Sequence, residues 1–365
     1  MSRMLSVIGL SLVTTFAGPS RAAEPVVPYQ GSRAVVGVRH LIPAMKGGEG
    51  YGEKYTFDAE FPGRGKFYFS MTIANLGVGD HKMEVKGHLK VDGQEIGHKK
   101  ELASDEWSSS KDKFEINAGP ASISGTPDAL VLKAKDEKGW WEATLTPIAK
   151  PWRPRNGQIQ FGTDKKASDY TVFPSFVASV KYSMDGGEPK TVEGRGYGSH
   201  SWTELGLYDQ ARWTLDVRGA SGDYTFDLRE MGTGGDFEQK RIPYIVITKG
   251  NQLLVESFDY EFNATEIFDD TGHENHYRVP ESFTFTGRDA SLENVQFRGK
   301  ITKVNRYERR DMLKNVNAAV KFVAKQMAKP MAYGYDVKYV IEVKTGEQID
   351  RFEGTARYHM YHFNP

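Results

Sequence analysis

The feature that most limits what this chain can fold into is a short, repeated alternation of apolar and polar residues. KYTFDAEF, KFYFSMTIANL, KMEVKGHLKVDG and DKFEINA follow one another within residues 54–118, broken by Gly and Asp-Gly turns. Side chains on a strand point alternately to its two faces, so such runs read as strands with one buried face. Asp92-Gly93 is a hairpin signal because both positions tolerate positive φ. ALVLKAKD and WWEATLTPI continue the pattern, and FVASVKYSMDGGEPKTVEGRGYG forms another hairpin turning at Asp185-Gly186-Gly187. Residues 147–154 are proline-rich and basic and read as a loop. The rhythm then resumes with RWTLDVRG, DYTFDLREM, PYIVITKGNQLLVESFDYEF and, near the end, RFEGTARYHMYHF. Many short strands with few helical intervals predict a closed or nearly closed antiparallel barrel in each half, because closure removes exposed sheet edges. The boundary is expected near residues 205–211.

The chain has 365 residues, a length suited to about two or three domains. Lysine plus arginine equals aspartate plus glutamate at 48 each, so a nucleic-acid partner has no electrostatic support. Without cysteine there is no disulfide, thiolate nucleophile or zinc–thiolate site. The start, MSRMLSVIGLSLVTTFAGPSRAAEP, has an early arginine, a short apolar stretch and small residues before Ala22. It reads as a signal peptide over residues 1–22, and predicts a periplasmic or secreted protein.

One segment departs from the strand rhythm. Residues 311–329, DMLKNVNAAVKFVAKQMAK, carry apolar residues at helical spacing. Asp311 is placed to cap a helix and Pro330 to stop it. Such an amphipathic helix packs on the second barrel, or acts as a lid or a transient membrane contact.

The stretch GRGYGSHSW, residues 194–202, carries the most unusual local pattern. A phosphate-binding loop needs a helix directly after its glycines, and here strand patterns follow. A hydrolase elbow needs Gly-x-Ser-x-Gly between strand and helix, and neither Ser199 nor Ser201 stands in that frame. His200 and Trp202 are two apart and share a face if the segment is extended; Tyr197 joins them only if a bulge shifts the register. His200 reads either as a pocket residue or as a satisfied core histidine. The pair His273 and His276 beside Asp269 and Asp270 reads as a solvated hairpin tip, so no metal and no cofactor are expected.

GRGYGSHSWTELGLYDQARWTLDVRG resembles the junction segment of the AttH-like, carotenoid 1,2-hydratase and survival-factor-type proteins, through Gly194, Gly196, Tyr197, His200 and Trp213. FGTDKKASDYTVFPSFVASVKYS upstream, and HYRVPESFTF and the C-terminal run downstream, extend the resemblance over most of the mature chain. It implies an all-β fold of two lipocalin-like antiparallel barrels in tandem: residues 1–22 as signal peptide, 30–207 as the N-terminal barrel and 208–365 as the C-terminal barrel. It also implies a hydrophobic small molecule or lipid as partner, held in a barrel or between the two. Ser199 stands where hydratases of this family commonly carry an aspartate.

Two functions follow. One is an exported carrier of a lipid or isoprenoid-like ligand, with Tyr197, His200, Trp202, Trp213, Tyr224 and Phe226 as pocket residues. The other is a hydratase, isomerase or cyclase acting on an apolar unsaturated substrate. There Asp227 is the candidate acid and His200 orients it or the water. A carboxyl buried among aromatics holds its proton more tightly, and the ring faces of Trp202 or Phe226 stabilise a cation. Neither the ligand nor the oligomeric state is set by the sequence.

Overall fold

A computed structural model describes residues 23–75, 80–314 and 329–363. The strands of the first half are β1 (Val26–Pro28), β2 (Gly52–Phe61), β3 (Gly65–Ala74), β4 (Lys82–Val91), β5 (Gln94–Leu102), β6 (Ser108–Ser109) and β7 (Phe114–Ala118). They continue with β8 (Ala121–Thr126), β9 (Ala129–Lys135), β10 (Gly139–Ala149), β11 (Gln158–Phe161), β12 (Lys166–Met184) and β13 (Lys190–Thr203). A short helix, α1 (Leu207–Gln210), leads into the second half. There follow β14 (Ala211–Ser221), β15 (Tyr224–Thr233), β16 (Arg241–Lys249), β17 (Gln252–Ser257) and β18 (Tyr260–Asp270). The last four are β19 (Tyr277–Arg288), β20 (Val295–Asp311), β21 (Met331–Thr345) and β22 (Gln348–His362).

The alternation seen in the sequence becomes the burial pattern. On β2, Tyr55, Phe57, Ala59 and Phe61 enter the first core while the residues between them face outward. Asp92 and Gly93 both take positive φ, 51° and 82°, as the tight β4–β5 turn requires. The main path of the first sheet runs β5-β4-β3-β2-β13-β12-β10-β9-β8-β7-β6, and that of the second β17-β16-β15-β14-β22-β21-β20-β19-β18. All their pairings are antiparallel.

Each sheet curls into a half-barrel around its own core. The ends of the first path, β5 and β6, are consecutive in the chain, as are β17 and β18 at the ends of the second. Each curl therefore returns toward itself, with no ladder across the seam among the described residues. The barrels are open at one seam each instead of fully closed.

A third core lies between the halves. Val26, Trp152, Phe161 and Val172 of the first pack against Met231, Tyr244, Val246 and Phe363 of the second. Polar contacts cross here too: Arg195 Nη2 donates to Thr225 Oγ1 at 2.8 Å, and Arg218 Nη2 to the Tyr170 hydroxyl at 2.8 Å.

The signal-peptide segment lies outside the described residues, as does nearly all of the helix expected at 311–329. At that helix's start, Asp311 ends β20 and its Oδ1 accepts the Leu313 N–H at 2.8 Å.

Candidate functional site

The glycines of GRGYGSHSW are packing slots. All three lie on the inner face of β13, where rings of the first core crowd in. A Cβ on Gly194 would lie 2.6 Å from Phe61 Cδ1, one on Gly196 2.4 Å from Phe176 Cε2, and one on Gly198 2.3 Å from Phe57 Cδ1. The pairing of β13 with β2 is unbroken from Arg195 to Thr203, so Tyr197 points away from His200. It faces the second half, where burial pushes its hydroxyl pKa up.

His200 closes a buried polar network inside the first half-barrel. Its Nδ1 lies 2.8 Å from the His40 carbonyl, which can only accept, so Nδ1 carries a hydrogen. Its Nε2 meets Glu53 Oε1 at 2.6 Å. Glu53 also receives the Tyr51 hydroxyl and the Ala44 N–H at 2.9 Å. Tyr55 stacks on the imidazole at 4.2 Å between centroids, and its hydroxyl reaches the Leu41 carbonyl at 2.7 Å. His200 and Glu53 are both about 1% exposed. Trp202 packs against the same core, with Lys46 Nζ 5.4 Å from its ring centroid.

Asp227 is elsewhere, on the face of β15 turned toward the junction. It is 1% exposed. Tyr244 donates to its Oδ1 at 2.9 Å. Arg218 Nε lies 2.9 Å from Oδ2 but is not aligned as a hydrogen bond. Burial raises the pKa of the Asp227 carboxyl, and Arg218 opposes that rise in part. Tyr170 completes the cluster, with the Arg229 guanidinium 4.4 Å above its ring.

The other sequence candidates are spread out. Strand alternation puts Tyr224 and Phe226 on the opposite face of β15 from Asp227, inside the second half-barrel. The Tyr224 hydroxyl donates to Asp350 at 2.6 Å, and Phe226 meets Tyr339 edge-on. Phe226 therefore does not share a site with Asp227, and His200 does not touch it. Trp213 lines a separate cavity of the second half-barrel. His273 and His276 lie at the β18–β19 hairpin tip. His273 stacks on Tyr277, and no metal-holding group of His, Asp and Glu occurs among the described residues.

The junction holds a cavity of about 610 Å³, lined by residues that are not among the sequence candidates. Val36, Val38, Pro127, Pro151, Trp152 and Leu253 supply its apolar wall, and Arg33, Lys150, Asp128 and Asn251 its polar positions. Trp152 joins the halves: its Nε1 donates to Glu256 Oε2 at 2.9 Å, and Arg33 Nε donates to the same oxygen at 2.6 Å. Thr248 also lines the cavity; it is 5% exposed and its hydroxyl has no partner. Behind Trp152 the Tyr244 ring lies 5.2 Å away, centroid to centroid, and that ring carries the hydroxyl bound to Asp227. A path of contacts thus leads from the cavity wall to a buried carboxyl. The available signal was Trp152 itself, a lone tryptophan between two prolines in a basic loop.

The chain has the tandem lipocalin-like fold. Solved structures that share it include an AttH-like protein from Nitrosomonas europaea, with TM-score 0.52 and 12% identity over 85% of this chain and 91% of that one. CghA matches with TM-score 0.52 and 11% identity over 94% of this chain and 97% of its own. Kievitone hydratase from Nectria haematococca matches with TM-score 0.51 and 11% identity over 93% and 98%. At these identities the likeness is one of fold. The sequence matches no family model and no curated protein.

Proposed function

We propose that this is an exported enzyme that hydrates, isomerises or cyclises an apolar unsaturated molecule held in the cavity between its halves. The observation that carries this reading is the contact path from Trp152 through Tyr244 to Asp227, whose pKa burial raises. A carboxyl that holds its proton more tightly than usual is suited to act as an acid. Support of a second kind comes from the fold: a hydratase shares it, and so does CghA, one of whose structures contains Sch210972.

The chemistry balances through these groups. A substrate end that reaches past the Trp152 ring takes the Asp227 proton on one alkene carbon, and the Tyr244 hydroxyl, which donates to Oδ1, steadies the carboxylate left behind. The neighbouring carbon becomes cationic, and the Trp152 ring face stabilises it. Water adds to that carbon, and the proton it releases returns by the same route to Asp227. In an isomerisation a neighbouring C–H gives up the proton instead; in a cyclisation a second double bond supplies the electrons. Arg33 and Lys150 bind a polar end of the substrate. Trp152 and the aliphatic side chains bury its apolar body, at about 25 cal/mol per Å².

The test pairs Asp227→Asn with the parent protein. Apolar molecules extracted from the mature protein, purified from its native envelope, are identified by mass spectrometry and their unsaturated relatives assayed. The variant is expected to bind like the parent and to form no product. Binding by both forms with product from neither returns the protein to the carrier class.

A further inference from the structure

A second cavity, of about 320 Å³, lies inside the second half-barrel. Its walls follow from strand alternation. Trp213 and Leu215 on β14, and Met360 and His362 on β22, are spaced by two and therefore share a face. The two strands pair so that Trp213 stands opposite His362 and Leu215 opposite Met360. Phe262 on β18 and Pro280 on β19 add to the apolar lining, and Arg278 stands at the exposed rim.

Two of the three fixed charges lining this cavity satisfy each other, and the third, Arg278, is exposed to solvent at the rim. Arg241 holds Glu230 in a fork, Nε to Oε2 at 2.9 Å and Nη2 to Oε1 at 2.5 Å. What is left over is a neutral acceptor. His362 is 7% exposed and stacks on Tyr277 at 4.4 Å. Its Nε2 has no hydrogen-bond partner, so the Arg278 backbone carbonyl, which favours the protonated ring, acts on Nδ1. A carbonyl accepts, so Nδ1 carries the hydrogen and Nε2 presents a lone pair. Burial lowers the imidazole pKa to about 4, which keeps the ring uncharged at neutral pH. A buried acceptor without a donor is destabilising, and a ligand hydroxyl would remove that cost.

We propose that this cavity is a second small-molecule site, separate from the junction, that takes an uncharged planar apolar molecule bearing one hydroxyl, whose O–H donates to His362 Nε2. The volume stands at the small end of ligand pockets. Trp213 and Phe262 supply the aromatic contact.

The probe pair is 1-naphthol and its methyl ether, which differ in the donor. Each is titrated against the full mature protein at neutral pH, with tryptophan fluorescence as readout. 1-Naphthol is expected to bind saturably and at least about tenfold more tightly than the ether, as one buried hydrogen bond provides. His362→Leu is expected to erase the difference and Met360→Trp to block both probes. Val36→Trp, which fills the junction cavity, is expected to change neither affinity. Equal binding of the two probes to the parent protein overturns the proposal without any variant. So does a preference that survives His362→Leu, or binding lost in Val36→Trp.

Discussion

The indole N–H of Trp152 reaches the Glu256 carboxylate at 2.9 Å, joining two residues 104 positions apart on different half-barrels. Glu256 is 2% exposed and takes Arg33 on the same oxygen. The pair fixes the wall of the junction cavity and docks one half on the other.

Replacing Glu256 by Leu leaves the Trp152 N–H buried without an acceptor. The expected loss is about 1–3 kcal/mol of stability, read from the urea midpoint. Glu256→Gln keeps an acceptor in place and is expected to cost less. Equal losses for both would show that charge, and not the hydrogen bond, holds the wall.

Gly198→Ala puts a methyl group 2.3 Å from Phe57 Cδ1. Overpacking of this kind costs about 1–3 kcal/mol. The double variant with Phe57→Leu is expected to recover part of that loss, since the ring is what the methyl meets. Unfolding curves for the two single variants and the pair give the coupling directly.

His200 and Glu53 form a buried pair. Removing one partner strands the other, so Glu53→Leu is expected to cost about 3–5 kcal/mol. Near-neutral behaviour in thermal unfolding would show that His200 does not depend on Glu53 for its polar partner.

Acid lowers stability through His362. Its folded pKa of about 4 lies below the ordinary 6.5, so the unfolded chain binds the proton more readily. This contribution is complete above pH 6.5 and is lost as pH falls toward 4, by an amount on the order of 3 kcal/mol. His362→Phe is expected to flatten the stability–pH curve in that window. An unchanged slope would assign the acid sensitivity to other groups.

The half-barrels were legible because alternation is a local property, written in runs such as KYTFDAEF. The same rule, applied strictly to DYTFDLREM, places Phe226 and Asp227 on opposite faces. That alternation alone separates the two into different sites. Trp152 and Glu256 are different. Their meeting depends on how two complete sheets dock, and no spacing within either segment encodes it. The glycines of β13 lie between these cases. Their every-other-residue spacing marks one face as crowded, but the rings that crowd it come from β2 and β12.

Each sheet joins its own first and last long strands: Gly52 pairs with Thr203 through β2 and β13, and Trp213 with His362 through β14 and β22. Contacts so distant in sequence carry a large loop-closure entropy and slow folding. During synthesis the first half can finish while the second is still emerging. The second must wait for β22. A chain lacking β22 would leave β14 and β21 as bare edges, a template for aggregation.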